Sequence, residues 1–257
     1  MSKPAASKLR PLAVLAVLRE LRRGEGDSRP IAVAGASELV PVLARLLREG
    51  GESAAVSVGP VADAAVLVWV GKTDTERLRD ASRSKVPIVA VTEDEIVPYV
   101  LAGSVVRVAP GQGFPLDEIT TAIARVLGDE GVSLAARLPV LRAAVCEHLI
   151  DKCARKNGAI AAAVFVPGVD LPLLTMNQIR LVLRIALAYG EELDQSRALE
   201  IVGVVGAGYG FRMLAREALD FLPVVGWAVK GAVAFGGTRA IGMAAVRLCE
   251  ARHKLHS

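Results

Sequence analysis

The hydrophobic pattern of the chain changes near Gly128, and this change constrains the fold more than any other feature. Before it, short runs of Val, Ile and Ala alternate with helical patterns, which is typical of a parallel sheet buried on both faces. The predicted strands are IAVAG (31–35), AAVSVG (54–59), AAVLVWVG (64–71), PIVAVT (87–92) and SVVRVA (104–109). We therefore expect an α/β domain with a five-stranded, mostly parallel, doubly wound sheet.

Helical patterns occupy most of the segments between these strands. They cover residues 37–51, 73–85, 93–103 and 115–128. Only about five residues join the second strand to the third, whereas a parallel crossover usually needs a dozen or more. Either these two strands run antiparallel, or the chain crosses over without a helix, and the sequence leaves both open.

The chain after Gly128 carries no convincing strand and many glycines. The pattern predicts helices at 133–156, 172–189, 193–206, 209–221 and 225–253, with breaks at Pro167, Gly190, Gly208 and Pro223. Because glycine inside a helix costs about 1 kcal/mol relative to alanine, so many of them indicate close helix contacts. The expected organisation is a basic amphipathic helix (1–28), an α/β domain (29–128) and a glycine-rich helical domain (132–257).

The overall charge and the hydropathy restrict the partners. Apolar residues make up 53% of the chain and the formal net charge is +4, a mild excess that is compatible with an anionic membrane surface but too weak to indicate nucleic acid. Residues 221–246 come closest to a membrane span, but Lys230 and Arg239 interrupt them, so we expect no clean span. The N-terminal helix, Leu9 to Arg23, either packs against the protein or contacts a membrane surface.

Catalytic and metal-binding patterns are weak. Cys146, His148 and Cys153 could suggest a metal site, but small buried residues are the better interpretation of the two cysteines. The few cysteines fit a reducing, cytoplasmic compartment. The sequence contains no evident Ser/His/Asp set and no carboxylate pair with the spacing of acid–base catalysis. We expect a protein that is not an enzyme and that carries no cofactor or metal.

The end of the first strand is where a P-loop would hold phosphate. If Gly35 is aligned with the first glycine of that motif, Val40, Pro41 and Val42 stand where Gly, Lys and Ser/Thr are required. A helix that begins after Gly35 still favours an anion at its N-terminus, which makes Gly35 and Ser37 candidate anion-binding residues.

Three segments of the first half resemble an Era-like GTPase domain: residues 62–71, 86–95 and 105–128. The resemblance implies that Thr92, Glu93, Asp94 and Glu95 replace the loop that reads guanine, so the amide that would bind the base is missing. A degenerate, pseudo-GTPase domain is the expectation that follows.

The second half resembles the bacterial domain-of-unknown-function family 697. The resemblance rests on PGVDLPLLTMNQIRLVLRIALAYG (167–190), FLPVVG (221–226) and GGTRAIGMAAVRLCE (236–250). That domain commonly follows Era-like GTPase domains and also occurs in membrane-associated bacterial proteins, with no assigned reaction. The family pattern implies a set of motif residues: Asp170, Gln178, Tyr189, Gly190, Thr238 and Gly242.

Physical roles can be predicted for these residues. Asp170 should cap the helix that begins at Leu171, and Gly190 should end it in the left-handed conformation after Tyr189. Gln178 faces the apolar side and needs a partner on another helix, for which Thr238 is the candidate.

Asn177 belongs to a polar stripe at helical spacing with Arg180, Arg184 and Glu191. The open alternative is a functional one, in which Asp170, Gln178 and Thr238 line a polar pocket or an ion path among the helices.

Two main functions remain after these exclusions, with an enzyme that has a pocket in the helical domain as a third option. The first is a non-catalytic protein that binds the inner face of the cell membrane or another protein, with homo-oligomerisation through glycine faces as an open point. The alternative is a nucleotide-responsive regulator that binds a phosphate ligand at the end of the first strand.

Overall fold

The structure is a computed structural model of the 257-residue chain, and it describes residues 11–22, 28–59, 63–109, 111–163, 171–217 and 227–256. The chain forms two compact units. The α/β unit is Asp27–His148, and the helical unit combines Met1–Gly26 with Leu149–Ser257.

The α/β unit contains the predicted five-stranded sheet, and every described strand pair is parallel. Its strands are β1 (Ile31–Gly35), β2 (Val56–Val58), β3 (Val66–Val70), β4 (Ile88–Thr92) and β5 (Val105–Arg107). Their order in the sheet is β2-β1-β3-β4-β5. The predicted fold class, an α/β sheet with a helical region after it, is confirmed.

The short connection between β2 and β3 is a parallel crossover, and its described residues contain no helix. The register explains how it fits. Ile31 of β1 pairs with both Val56 and Val66, so the first residues of β2 and β3 lie at the same level in the sheet. After Val58, the last residue of β2, the chain therefore has to return by only two residues along the strand direction. Strands lie about 4.8 Å apart, so a short return past β1 is sufficient. Of the two open alternatives, the antiparallel arrangement of β2 and β3 is therefore excluded.

Helices cover both faces of the sheet. They are α2 (Val40–Arg48), α3 (Thr75–Arg83) and α4 (Leu116–Leu127). Leu78 and Ala81 of α3 pack on one face with Leu67 and Ile88, which belong to a single buried cluster. Since successive strand residues face opposite sides, Val66, Val68 and Val89 face the other way, where α4 packs against β3 and β4.

The helix predicted at 93–103 is wrong. This segment is irregular except for a short 3₁₀ turn at Ala102–Ser104. Pro98 removes a backbone donor in its middle, and Tyr99 adopts a φ of +65°, outside the right-handed helical region. A proline with a left-handed residue beside it therefore outweighs the apolar spacing that predicted a helix.

The remaining helices are α1 (Pro11–Arg22), α5 (Gly131–Arg137), α6 (Arg142–Ala163), α7 (Leu171–Ala188), α8 (Gln195–Glu217) and α9 (Trp227–His256). Two predicted boundaries are wrong. The helix predicted at 133–156 is interrupted at Leu138, which is extended because Pro139 follows it. The break predicted at Gly208 does not occur, and α8 continues through it.

The two units also differ from the domain boundaries expected from the sequence. Helix α1 belongs with the helical unit, since it buries Val14, Val17 and Leu18 and packs against α7 and α8. Residues 131–148 belong with the α/β unit. The Glu52 backbone N–H donates to the Arg137 carbonyl oxygen over 3.0 Å, and their side chains form an ion pair.

Candidate functional site

Helices α6 and α9 cross in antiparallel directions at a close contact between glycines, which leaves little room for a side chain. A Cβ atom on Gly158 would lie 3.2 Å from the Gly231 carbonyl oxygen, and one on Gly231 would lie 3.1 Å from that of Gly158. Further along, a Cβ on Gly242 would lie 2.5 Å from Cγ1 of Ile150. The motif residue Gly242 therefore lets α9 approach α6 closely, as the glycine content predicted.

A buried polar network lies between these contacts and joins α6, α7 and α9. Asn157 Nδ2 donates to Thr238 Oγ1 over 2.9 Å, and Gln178 Nε2 donates to the same oxygen over 3.3 Å. Asn177 Nδ2 donates to Asn157 Oδ1 over 2.8 Å. The predicted bond between Gln178 and Thr238 is confirmed. We call these four residues the amide–hydroxyl network.

The network continues to the surface through an ion pair that holds α1. Arg180 Nη1 donates to Asn177 Oδ1 over 3.4 Å, and Arg180 Nε and Nη2 donate to the two carboxylate oxygens of Glu20 over 3.1 and 2.7 Å. The hydrogen bond from Arg180 lowers the pKa of Glu20 most, burial opposes it, and the positive charges of Arg180, Arg184 and Lys156 lower the pKa further. α1 is thus held against α7 by the Glu20–Arg180 ion pair as well as by the packing of its apolar face.

The roles of two members of the network, Asn177 and Asn157, were not predicted from the sequence. Asn177 was predicted on a polar stripe, yet it is buried and bonded between helices. Asn157 was not identified at all, because its neighbours Lys156 and Gly158 resemble an exposed helix end. Its spacing held the signal, since it falls on one helical face with the buried residues Ile150, Ala154 and Ala161.

The other motif residues of the helical unit have structural roles. Gly190 ends α7 with a φ of +80°, while its N–H donates to the Leu187 carbonyl and that of Glu191 donates to the Ala186 carbonyl. These two bonds form a Schellman motif, and the predicted helix end with Gly190 in the left-handed conformation is confirmed. Asp170 lies outside the described residues. The hydroxyl of Tyr189 donates to a carboxylate oxygen of Glu250 over 3.3 Å.

The candidate anion site at the end of β1 is occupied by the protein's own groups. Ser37 Oγ donates to Glu38 Oε2 over 2.8 Å, and this bond and the Glu38 backbone N–H lower the pKa of the Glu38 carboxyl. The N–H groups of Leu39 and Val40 both donate to the Ala36 carbonyl oxygen.

The backbone of the neighbouring strand β3 lies close to Gly35, the last residue of β1. A Cβ on Gly35 would lie 2.0 Å from the Val70 carbonyl oxygen, and the Ala36 N–H donates to that oxygen over 2.8 Å. β1 and β3 are therefore joined by backbone hydrogen bonds up to the end of β1, and Gly35 has no room there for a side chain.

The loop at residues 92–95, where the resemblance to GTPases predicts the guanine-reading segment, is bonded internally. Asp94 Oδ2 accepts the Thr73 N–H over 2.8 Å, and the Asp94 N–H donates to the buried Thr92 hydroxyl over 3.1 Å. Hydrogen bonding from Thr73 lowers the pKa of the Asp94 carboxyl. Asp94 therefore joins the end of β3 to the end of β4.

The two units carry opposite net charges. The helical unit has 19 Lys and Arg against 11 Asp and Glu, a net charge of +8. The α/β unit has 12 against 16, a net charge of −4. Although the net charge of the whole chain is only +4, its helical unit is therefore strongly basic.

Helix α9 is long and apolar enough over Val229–Leu255 to cross a membrane, judged by length and composition alone. Only 22% of its most apolar window is buried within the described part of the chain, whereas the core helix of a globular protein would be mostly buried. Much of its apolar surface therefore faces outward.

Groups that could hold a metal are absent from the described residues, where no three His, Cys, Asp or Glu side chains are suitably clustered. Cys146 and Cys249 are buried thiols and Cys153 is half-buried, with its Sγ 3.6 Å from the Asn177 carbonyl oxygen. No protein-family model matches the chain, no curated protein is significantly similar to it, and no solved structure matches it significantly. The two family resemblances therefore stay predictions.

Proposed function

We propose that this is a non-catalytic, membrane-peripheral protein. Its helical unit binds the anionic inner face of the cell membrane, and its α/β unit, a pseudo-GTPase frame, serves as a platform for protein partners. The observation that carries this proposal is the charge separation, with +8 on the helical unit and −4 on the α/β unit. An anionic surface attracts the first and repels the second, which orients the molecule.

The exposed apolar surface of α9 supports the same function. Electrostatic attraction alone is screened within about 8 Å at physiological ionic strength. Apolar side chains that enter the headgroup region add a contribution that salt does not remove. The helical unit offers both kinds of contact, because basic residues and an outward apolar helix occur together in it.

A nucleotide-responsive regulator is the competing function, and the end of β1 argues against it. A phosphate there would need free backbone N–H groups and no nearby carboxylate. Instead, the donors of Ala36, Leu39 and Val40 are bonded to carbonyl oxygens, and Glu38 holds the Ser37 hydroxyl. Titration calorimetry with GTP, GDP and inorganic phosphate at millimolar concentration tests it: binding heat with any of them would favour this function, and no heat with all three would remove it.

Liposome flotation of the full chain tests the membrane proposal. We expect the protein to float with vesicles that contain phosphatidylglycerol and to bind about tenfold less to pure phosphatidylcholine vesicles, since each basic residue near an anionic surface contributes about 1 kcal/mol. Raising the salt concentration should weaken the binding to anionic vesicles without abolishing it. A chain that stays at the bottom of the gradient with both vesicles would overturn the proposal and favour a protein partner instead.

A further inference from the structure

One face of α9 is apolar and exposed over several turns. Its exposed residues include Val229, Val233 and Met243, with 49%, 38% and 37% of their surface accessible. Ala232 and Gly236 are exposed between them, and half-buried Ala240 completes the face. These positions recur every three or four residues, so they lie on one side of the helix over about 21 Å. We call them the outer face of α9.

The opposite side of α9 is fixed to its neighbours. Gly231, Thr238 and Gly242 contact α6, and Thr238 is also bonded to α7. Arg239, at the side of the helix, pairs with Asp151 of α6. To cross a bilayer alone, α9 would have to abandon the amide–hydroxyl network and this ion pair.

The rest of the bundle does not suit a lipid interior. α6 exposes Lys152, Arg155 and Lys156 on consecutive turns. Each would cost about 2.5 to 3.5 kcal/mol at the centre of a bilayer on insertion scales. Among the described residues, α9 therefore presents an apolar side and α6 presents charge, which is the distribution of an interfacial protein and not of a spanning one.

We propose that α9 lies in the plane of the membrane interface and inserts its outer face, from Val229 to Met243, among anionic lipids. This inference rests on the proposed function and names the surface that carries it. The occupant is lipid because the unit that bears this face has a net charge of +8. Basic residues also frame the face: Lys230 at its start, and exposed Arg247 and Lys254 beyond its end, with stems long enough to reach phosphate groups.

Paired substitutions test the inference on the full chain. V233E and M243E place a carboxylate on the outer face, and I96E makes the same change at a side chain in the α/β unit that is 83% exposed. All three lower the net charge equally, so they differ only in position. We expect V233E and M243E to reduce flotation with phosphatidylglycerol vesicles about tenfold or more, and I96E by less than about twofold.

The outcomes separate this inference from the proposed function. If the wild-type chain floats but V233E and M243E bind as well as I96E does, the outer face is not the contact and the inference fails while the function stands. If the wild-type chain does not float, the function itself fails. Circular dichroism of each variant checks folding, which these exposed positions should leave unchanged.

A depth measurement supplies a second test. V233W and I96W each add a tryptophan to the two of the natural chain. With vesicles of brominated lipid, the added fluorescence of V233W should be quenched and that of I96W should not.

Sedimentation without lipid tests whether a second copy of the chain, and not lipid, covers the outer face. A dimer that V233E dissociates would assign the outer face to self-association and overturn the inference.

Discussion

Asn157 and Thr238 lie 81 positions apart in the chain, and the amide of one donates to the hydroxyl of the other over 2.9 Å in a fully buried contact. Thr238 also accepts from Gln178, so one hydroxyl joins three helices. Replacement of Thr238 by Val keeps the shape and removes the acceptor. We expect a loss of about 1 to 3 kcal/mol in the free energy of unfolding, because buried amides lose their partner.

Urea denaturation measures this loss, and T238S is the matched control. Serine keeps the hydroxyl and should retain most of the stability that T238V loses. Equal losses in T238S and T238V would mean that the γ-methyl, and not the hydrogen bonds, accounts for the effect.

The glycines of α9 should respond oppositely to alanine. In G242A the new Cβ would meet buried Ile150 at 2.5 Å, so we expect a net destabilisation of about 1 to 3 kcal/mol from overpacking. Gly236 has nothing within 4 Å, and G236A should stabilise the protein by up to about 1 kcal/mol through helix propensity. Thermal unfolding of both variants checks this, and a stabilising G242A would contradict the close α6–α9 contact.

Alanine substitutions at Gly35 and Gly59 compare the cost of backbone strain alone with the cost of strain plus a steric clash. Both have a φ near +130°, but a Cβ on Gly35 would lie 2.0 Å from a carbonyl oxygen, whereas one on Gly59 would meet nothing within 4 Å. G59A should therefore cost only the conformational strain, about 1 to 3 kcal/mol. G35A should cost clearly more, because β1 must move away from β3. Denaturation midpoints that are equal for the two variants would be inconsistent with the contact.

The ion pair between Glu20 and Arg180 predicts a pH dependence for the attachment of α1. The pKa of Glu20 is lowered in the folded protein, so its contribution is present above the ordinary carboxyl pKa and is lost as the pH falls through the folded value. The Glu20 side chain is half-exposed, so screening limits the contribution to about 0.5 kcal/mol.

E20Q is the variant for this measurement. It should lower stability slightly at neutral pH and make no difference in acid below the folded pKa. Carbon-13 NMR of the Glu20 carboxyl carbon as a function of pH gives the pKa directly. A value at or above 4.5 would show that Arg180 does not stabilise the carboxylate.

The sheet could be predicted from the sequence because its strands are short buried runs of β-branched residues, and β1 matches the prediction at both ends. The bond between Gln178 and Thr238 could be inferred because a polar residue on an apolar helix face needs a partner. Asn157 and the burial of Asn177 were harder to predict. Asn157 follows the charged residues Arg155 and Lys156, and Asn177 lies at helical spacing with Arg180 and Arg184, while the burial of both depends on contacts between helices that are distant in sequence.

The segment after β4 shows a second reason why the sequence does not predict the whole fold. Its apolar spacing favours a helix, but the left-handed φ of Tyr99 is a consequence of how the chain returns toward β5. Local propensity does not contain that information. The position of α1 likewise depends on α7 and α8, which follow it by more than 140 residues.

The inner side of α9 repeats small residues every seven positions, at Gly231, Thr238 and Ala245, all of them buried. Sliding α9 along α6 by two turns would bring Thr238 to the place where Gly231 lies close to the backbone of Gly158. Within α9 only Thr238 has a hydroxyl to receive the amides of Asn157 and Gln178, so a shifted arrangement would also leave those amides without this acceptor. Steric fit and one hydroxyl oxygen thus select the same axial register of α9.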